Sequence, residues 1–141
     1  MLEQVHDHIT QELNQGARTD TIFVITAIAF NLIVLGINSA IAESAGDPYN
    51  RERLSNNILM FVFIALLLLV NGISITALTV GKQTRNTLLN GMIEMYKDNQ
   101  VDKYYDLSLL GNYNKRYSLF TAVILCLGVT AVVVPLIIRF V

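Results

Sequence analysis

Three stretches of this chain contain no Asp, Glu, Lys or Arg at all: Thr21 to Ala42, Ile58 to Val80 and Ser118 to Ile138, each more than 20 residues long. An α-helix rises about 1.5 Å per residue, so about 20 apolar residues cross the ~30 Å hydrocarbon core of a bilayer. Each stretch is therefore long enough to span. Within 141 residues three spans leave little chain elsewhere, which predicts one all-α membrane domain. The boundaries read as 1–19 for a short amphipathic N-terminal helix, 20–43 for the first span, 56–81 for the second, 82–116 for a cytoplasmic helical segment and 117–139 for the third.

The polar start, Met1-Leu2-Glu3-Gln4, lacks the basic residues and short apolar core of a signal peptide, so the first apolar run is expected to be retained as a span. Orientation follows from Lys and Arg, which favour the cytoplasmic face when loops are short. With three spans, the N-terminal segment and the second connection share a side. That side holds seven such residues (Arg18, Lys82, Arg85, Lys97, Lys103, Lys115 and Arg116) against three, Arg51, Arg53 and Arg139, on the other. A cytoplasmic N-terminus and an external C-terminus are expected, in a prokaryotic inner membrane.

Leu2, Val5, Ile9 and Leu13 recur at steps of three and four, an apolar stripe on a helix lying along the membrane surface or a partner helix. Gly16 and Arg18 then read as a break, with Asp20 as N-cap of the first span. Gly46-Asp47-Pro48 is a turn signal between antiparallel first and second spans. Past Lys82 and Arg85 the residues Leu88, Leu89, Met92, Ile93 and Tyr96 keep helical spacing, so the second helix is expected to run from about Asn57 to Lys97. Gly111, Asn112 and Asn114 suggest a bend before the third span. Gly128 and Pro135 read as the source of a kink within it.

The polar residues inside the runs carry the functional question. Asn31 and Asn38 are seven apart and share one face; Asn71 and Ser74 share another. Asn31 and Asn71 fall at nearly equal depth, within reach of a hydrogen bond to each other, with another helix, another subunit or water as the other partners open to them. An amide in hydrocarbon must find a partner, which leaves two readings: interhelical contacts, or rings lining an aqueous path between several copies. Small residues at four-residue spacing, Gly36 and Ala40, Gly72 and Thr76, and Ala122, Cys126 and Thr130, permit close helix approach. No span carries an ionisable side chain away from its ends, which argues against a proton- or ion-coupled transporter.

Lys103, Tyr104, Tyr105, Tyr113, Lys115 and Arg116 combine cations with rings, the residue types that hold phosphates and stack on bases. Interfacial aromatics and positive charge beside a span explain the same residues without a ligand. Glu94, Asp98, Asp102 and Asp106 recur every four residues and read as a solvated acidic face. His6 and His8 point to opposite sides of a helix, so a shared metal is not expected. No cofactor is implied, and with no serine, cysteine or histidine set at catalytic spacing an enzyme is not expected. Cys126 is the sole cysteine. The function expected from these features is a small homo-oligomeric channel or pore, with Asn31, Asn38, Asn71 and Ser74 facing the conduit. An anionic ligand, a nucleotide, oligonucleotide or anionic lipid, would act on its cytoplasmic segment in the manner of a ligand-gated effector. The alternative is a non-conducting accessory or scaffold subunit.

Overall fold

The computed structural model describes residues 2–47, 49, 52–104 and 108–141. Three helices fill almost all of it: α1 (Leu2–Gly46), α2 (Arg53–Asp98) and α3 (Ser108–Phe140), with a short 3-10 turn at Asp102–Tyr104 between the last two. All three are long and apolar enough to cross a membrane, as expected of a multi-pass membrane protein. α1 packs along both of its neighbours, whereas α2 and α3 touch each other less.

Why the helices pair is visible in the spacing of what they bury. On α1 the buried side chains are Asp20, Val24, Ala27, Asn31, Val34 and Asn38, then Ala42 and Ala45. On α2 they are Met60, Ile64, Leu67, Asn71, Ser74 and Leu78. Tyr117, Ile124, Gly128, Ala131 and Pro135 play the same part on α3. Steps of three and four alternate, the seven-residue repeat that keeps one seam of a helix against its partners. Small residues on that seam bring the helices close: Ala27, Ala42, Ala45 and Ala131 are fully buried.

The outer faces are the apolar ones. Ile22, Ile25, Leu32, Ile33, Leu68, Leu69, Leu119 and Val129 are all exposed. Hydroxyls on or near the surface of the apolar segments bond back to their own helix, as in Thr76 Oγ1 to the Gly72 carbonyl at 2.8 Å and Thr130 Oγ1 to the Cys126 carbonyl at 2.9 Å. Such i−4 bonding satisfies a hydroxyl where lipid offers no partner.

Several sequence expectations change here. α1 does not break at Gly16 and Arg18: residues 2–19 are its first turns, and Asp20 lies in mid-helix rather than at an N-cap. A glycine inside a helix costs only about 1 kcal/mol relative to alanine, and the early turns of α1 are held along α2 by specific contacts. Arg85 Nη2 donates to the Leu13 carbonyl at 3.0 Å, and the His6 and Tyr96 rings lie 5.9 Å apart. The apolar stripe is thus split: Ile9 and Leu13 are half-buried, Leu2 and Val5 exposed.

Nor does the chain bend at Gly111, Asn112 and Asn114, since α3 begins at Ser108 and runs through them. Asn114 there accepts a bond from Asn86 Nδ2 at 3.1 Å, anchoring the first turns of α3 to α2. The long second helix is present and slightly exceeds its expected limits. It stops at a paired terminus in which the Gln100 N–H reaches the Lys97 carbonyl at 3.0 Å and the Val101 N–H the Tyr96 carbonyl at 3.0 Å. Gln100 takes the left-handed conformation (φ 59°) that this ending requires. The acidic row is consequently interrupted after Asp98, and its last member, Asp106, lies outside the described residues, as does Pro48 of the first turn.

Gly128 has a packing role that its sequence did not reveal. A Cβ at that position would stand 2.6 Å from Asn71 Nδ2, so the absent side chain is the space that the Asn71 amide occupies. We predict that Gly128→Val lowers stability by about 1–3 kcal/mol through overpacking. Thermal unfolding in detergent checks this, with Gly91→Val as a control, because a Cβ at the exposed Gly91 meets nothing within 4 Å. Equal midpoints for the two variants would refute the role assigned to Gly128.

Candidate functional site

Polar side chains within the bundle fall into layers along its axis. The first, at the end of the apolar segment where the long helices turn polar, is built from all three helices. α1 supplies Asp20, only 9% exposed, and α3 supplies Tyr117, 7% exposed. The Tyr117 hydroxyl donates to Asp20 Oδ2. α2 contributes Gly81, whose missing side chain makes room: a Cβ there would collide with the Asp20 carboxylate. One turn further along α2, Arg85 places its guanidinium 4.8 Å from the centroid of the Tyr113 ring.

These groups stand between two clefts. A larger one of about 430 Å³ opens between α1 and α2 and is lined by Glu12, Thr19, Phe23, Val80 and Thr84. A smaller one of about 60 Å³ lies toward α3 beside Ala17, Thr21, Arg116 and Phe120. Asp20, Arg85 and Tyr117 line both. A carboxyl group, a guanidinium and a phenol therefore share the layer where the helices turn from polar to apolar. The Tyr117–Asp20 bond joins α3 to α1, and Arg85 joins α2 to α1 through the Leu13 carbonyl and to α3 through the Tyr113 ring.

Sequence reading missed this layer because a charged residue just before an apolar run resembles a helix cap. The signal was present in the spacing: Asp20 continues the series 24, 27, 31, 34, 38 backward by one step, placing it on the buried face.

The second layer is the Asn31–Asn71 amide pair. Asn31 Nδ2 donates to Asn71 Oδ1 at 2.8 Å and Asn71 Nδ2 donates to Asn31 Oδ1 at 2.9 Å, a closed two-way bond. Asn31 Nδ2 also reaches the Ala27 carbonyl at 2.7 Å. Asn31 is 1% exposed and Asn71 8%. Ser74 is buried one turn from Asn71. Asn38, fully buried, forms a third layer: its Nδ2 donates to the Met60 carbonyl at 3.5 Å, a long contact, and its Oδ1 has no partner. All four residues thus face the inside of one bundle. Near the other end of the bundle, Arg139 Nε donates to Asn57 Oδ1 at 2.7 Å and Asn56 Nδ2 to Ser44 Oγ at 3.1 Å.

Among the described residues, those considered for an anionic ligand are divided between the 3-10 turn and α3. Lys103 is exposed on the 3-10 turn, Tyr104 ends that turn without a described side chain, and Tyr105 lies outside the described residues. Tyr113 is half-buried against Arg85. Lys115 and Arg116 are exposed on α3, the latter with its guanidinium 5.4 Å from the Phe120 ring centroid. No group of three or more metal-ligating side chains occurs among the described residues.

Tyr117→Phe removes the donor to Asp20 while preserving shape, leaving a buried carboxylate oxygen short of a partner. The expected cost is about 1–3 kcal/mol, read as a lower unfolding midpoint, and Asp20→Asn in the Tyr117→Phe background should recover part of it by removing the charge. Identical unfolding of the wild type and Tyr117→Phe would show that the contact does not hold the bundle. Comparison with known proteins adds no relative: no family model, no curated protein and no solved structure matches this chain.

Proposed function

We propose that the chain is the repeating unit of a small homo-oligomeric membrane pore in which the conduit lies between copies, with the basic end of the bundle in the cytoplasm and the C-terminus outside. The observation that supports self-association is the placement of the small-residue rows. Gly36 and Ala40, Gly72 and Thr76, and Ala122, Cys126 and Thr130 all lie on the outside of the bundle. Within one chain a Cβ at Gly36 or Gly72 would touch nothing, so neither glycine serves the internal packing. Rows of this kind let helices from separate chains approach closely in lipid.

A conduit between copies would be lined by outward faces rather than by the amides, which bond to one another. On α2 the outward residues beside the Gly72–Thr76 contact include Leu69 and Ile73, and a ring of Leu69 would close such a path by dewetting. Lys115 and Arg116, exposed on the first turns of α3, are where an anionic ligand at the cytoplasmic end would act on gating.

The alternative, a non-conducting scaffold or accessory subunit, draws support from a specific observation. The Asn31–Asn71 pair is complete within one chain, as expected of amides that only hold helices together, each such bond contributing about 0.6–2 kcal/mol.

Purified protein in nanodiscs and liposomes separates the two. The pore reading expects a defined homo-oligomer that passes ions, loss of that oligomer in Gly72→Leu with helicity retained, and increased flux in Leu69→Ser. A monomer that passes no ions in any variant would leave only the scaffold. Gating is checked with Lys115→Glu combined with Arg116→Glu, which should remove any dependence of flux on an added nucleotide. Flux that no anionic ligand alters would dispose of the gating proposal.

A further inference from the structure

The seam where α2 and α3 diverge is open to the outside, and its lining changes character along its length. At the end that carries Lys82 the groove has a volume of about 360 Å³, with Lys82 and Ser118 on opposite walls. Deeper in the apolar segment the same seam carries a second groove of about 280 Å³ between Leu68 and Val133, floored by Gly128 and Asn71. Leu125 stands between the two and lines both. The Asn71 amide beneath is already engaged with Asn31, which leaves an apolar floor.

From Lys82 to Leu68 is fourteen residues, or about 21 Å of helix. One leaflet offers ~15 Å of hydrocarbon and about 6 Å of headgroup region, which is the same length. Lys82 is half-buried at the polar end of the groove, and no ion pair or hydrogen bond of its ammonium occurs among the described residues. Lys115 lies one turn before Ser118 on α3 and is exposed, so a second cation stands near the same end.

We infer that the α2–α3 seam binds one phospholipid with a net anionic headgroup: its phosphate meets the Lys82 ammonium and the Ser118 hydroxyl, and an acyl chain lies along Leu125, Val129 and Val133. Charge complementarity at one end selects this occupant over a lipid without net charge, and the match to one leaflet in length selects a lipid over a free anion. The inference depends on the membrane-spanning architecture but on neither the pore nor the scaffold reading.

The test uses the full chain, extracted from vesicles of phosphatidylcholine doped with phosphatidylglycerol, with native mass spectrometry reading the lipid that stays bound. Wild type should retain phosphatidylglycerol in preference to phosphatidylcholine. Lys82→Gln should lower that preference about five-fold, the effect of one cation at a membrane surface, whereas Lys82→Arg keeps it and Arg53→Gln, at the far end of α2, leaves it unchanged. Val129→Trp fills the groove and should reduce retention of both lipids, and free inorganic phosphate, having no acyl chain, should not displace either. Equal retention of the two lipids by wild type, or a preference indifferent to Lys82→Gln at unchanged helicity, overturns the proposal. So does a dimer that Val129→Trp dissociates while lipid retention stays constant, since the seam would then hold a second copy of the chain.

Discussion

A polar group placed in hydrocarbon has no water to fall back on, and the arrangement of this bundle follows from where such groups can be satisfied. Backbone groups are satisfied by helix formation. Asn31 and Asn71 are satisfied by each other, Asp20 by Tyr117, and the surface threonines by carbonyls one turn back. Because the amides and the carboxylate can only be paired on the inside, they fix which face of each helix turns inward. Apolar residues alone would not do so, since lipid is as good a neighbour for leucine as another leucine.

That requirement also accounts for the glycines on the seam. An amide or carboxylate directed between helices needs volume, and two of the three layers obtain it by lacking a side chain opposite: Gly128 over Asn71 and Gly81 against Asp20. The third layer, Asn38, has no glycine partner and retains an unpaired Oδ1. That Oδ1 lies among completely covered neighbours, Ala42 and Met60.

Much of this fold was legible in the residues. The uncharged runs gave three long helices, the apolar spacing beyond Arg85 gave the extended second helix, and equal depth along two helices put Asn31 within reach of Asn71. Local propensity misled wherever tertiary contact overrode it. Gly16 and Arg18 looked like a break because the gain from Leu13 meeting Arg85 is invisible in a window of neighbouring residues. Gly111 and the asparagines around it looked like a bend, but Asn114 has a partner 28 positions earlier in the chain. Small-residue rows could be found in sequence without their facing being known, since a row facing a partner within the chain and one facing outward have the same spacing. The Asp20 layer escaped because its three contributors come from three helices, with Asp20 and Tyr117 separated by 97 positions.

The doubled length of α1 and α2 has a consequence for how the molecule is made. Each is about 68 Å long, more than twice the bilayer core. Leu13 of α1 finds Arg85 72 positions later, and His6 finds Tyr96 90 positions later. During synthesis the opening turns of α1 leave the ribosome well before the stretch of α2 they pack on exists, so until then they have no partner on that helix.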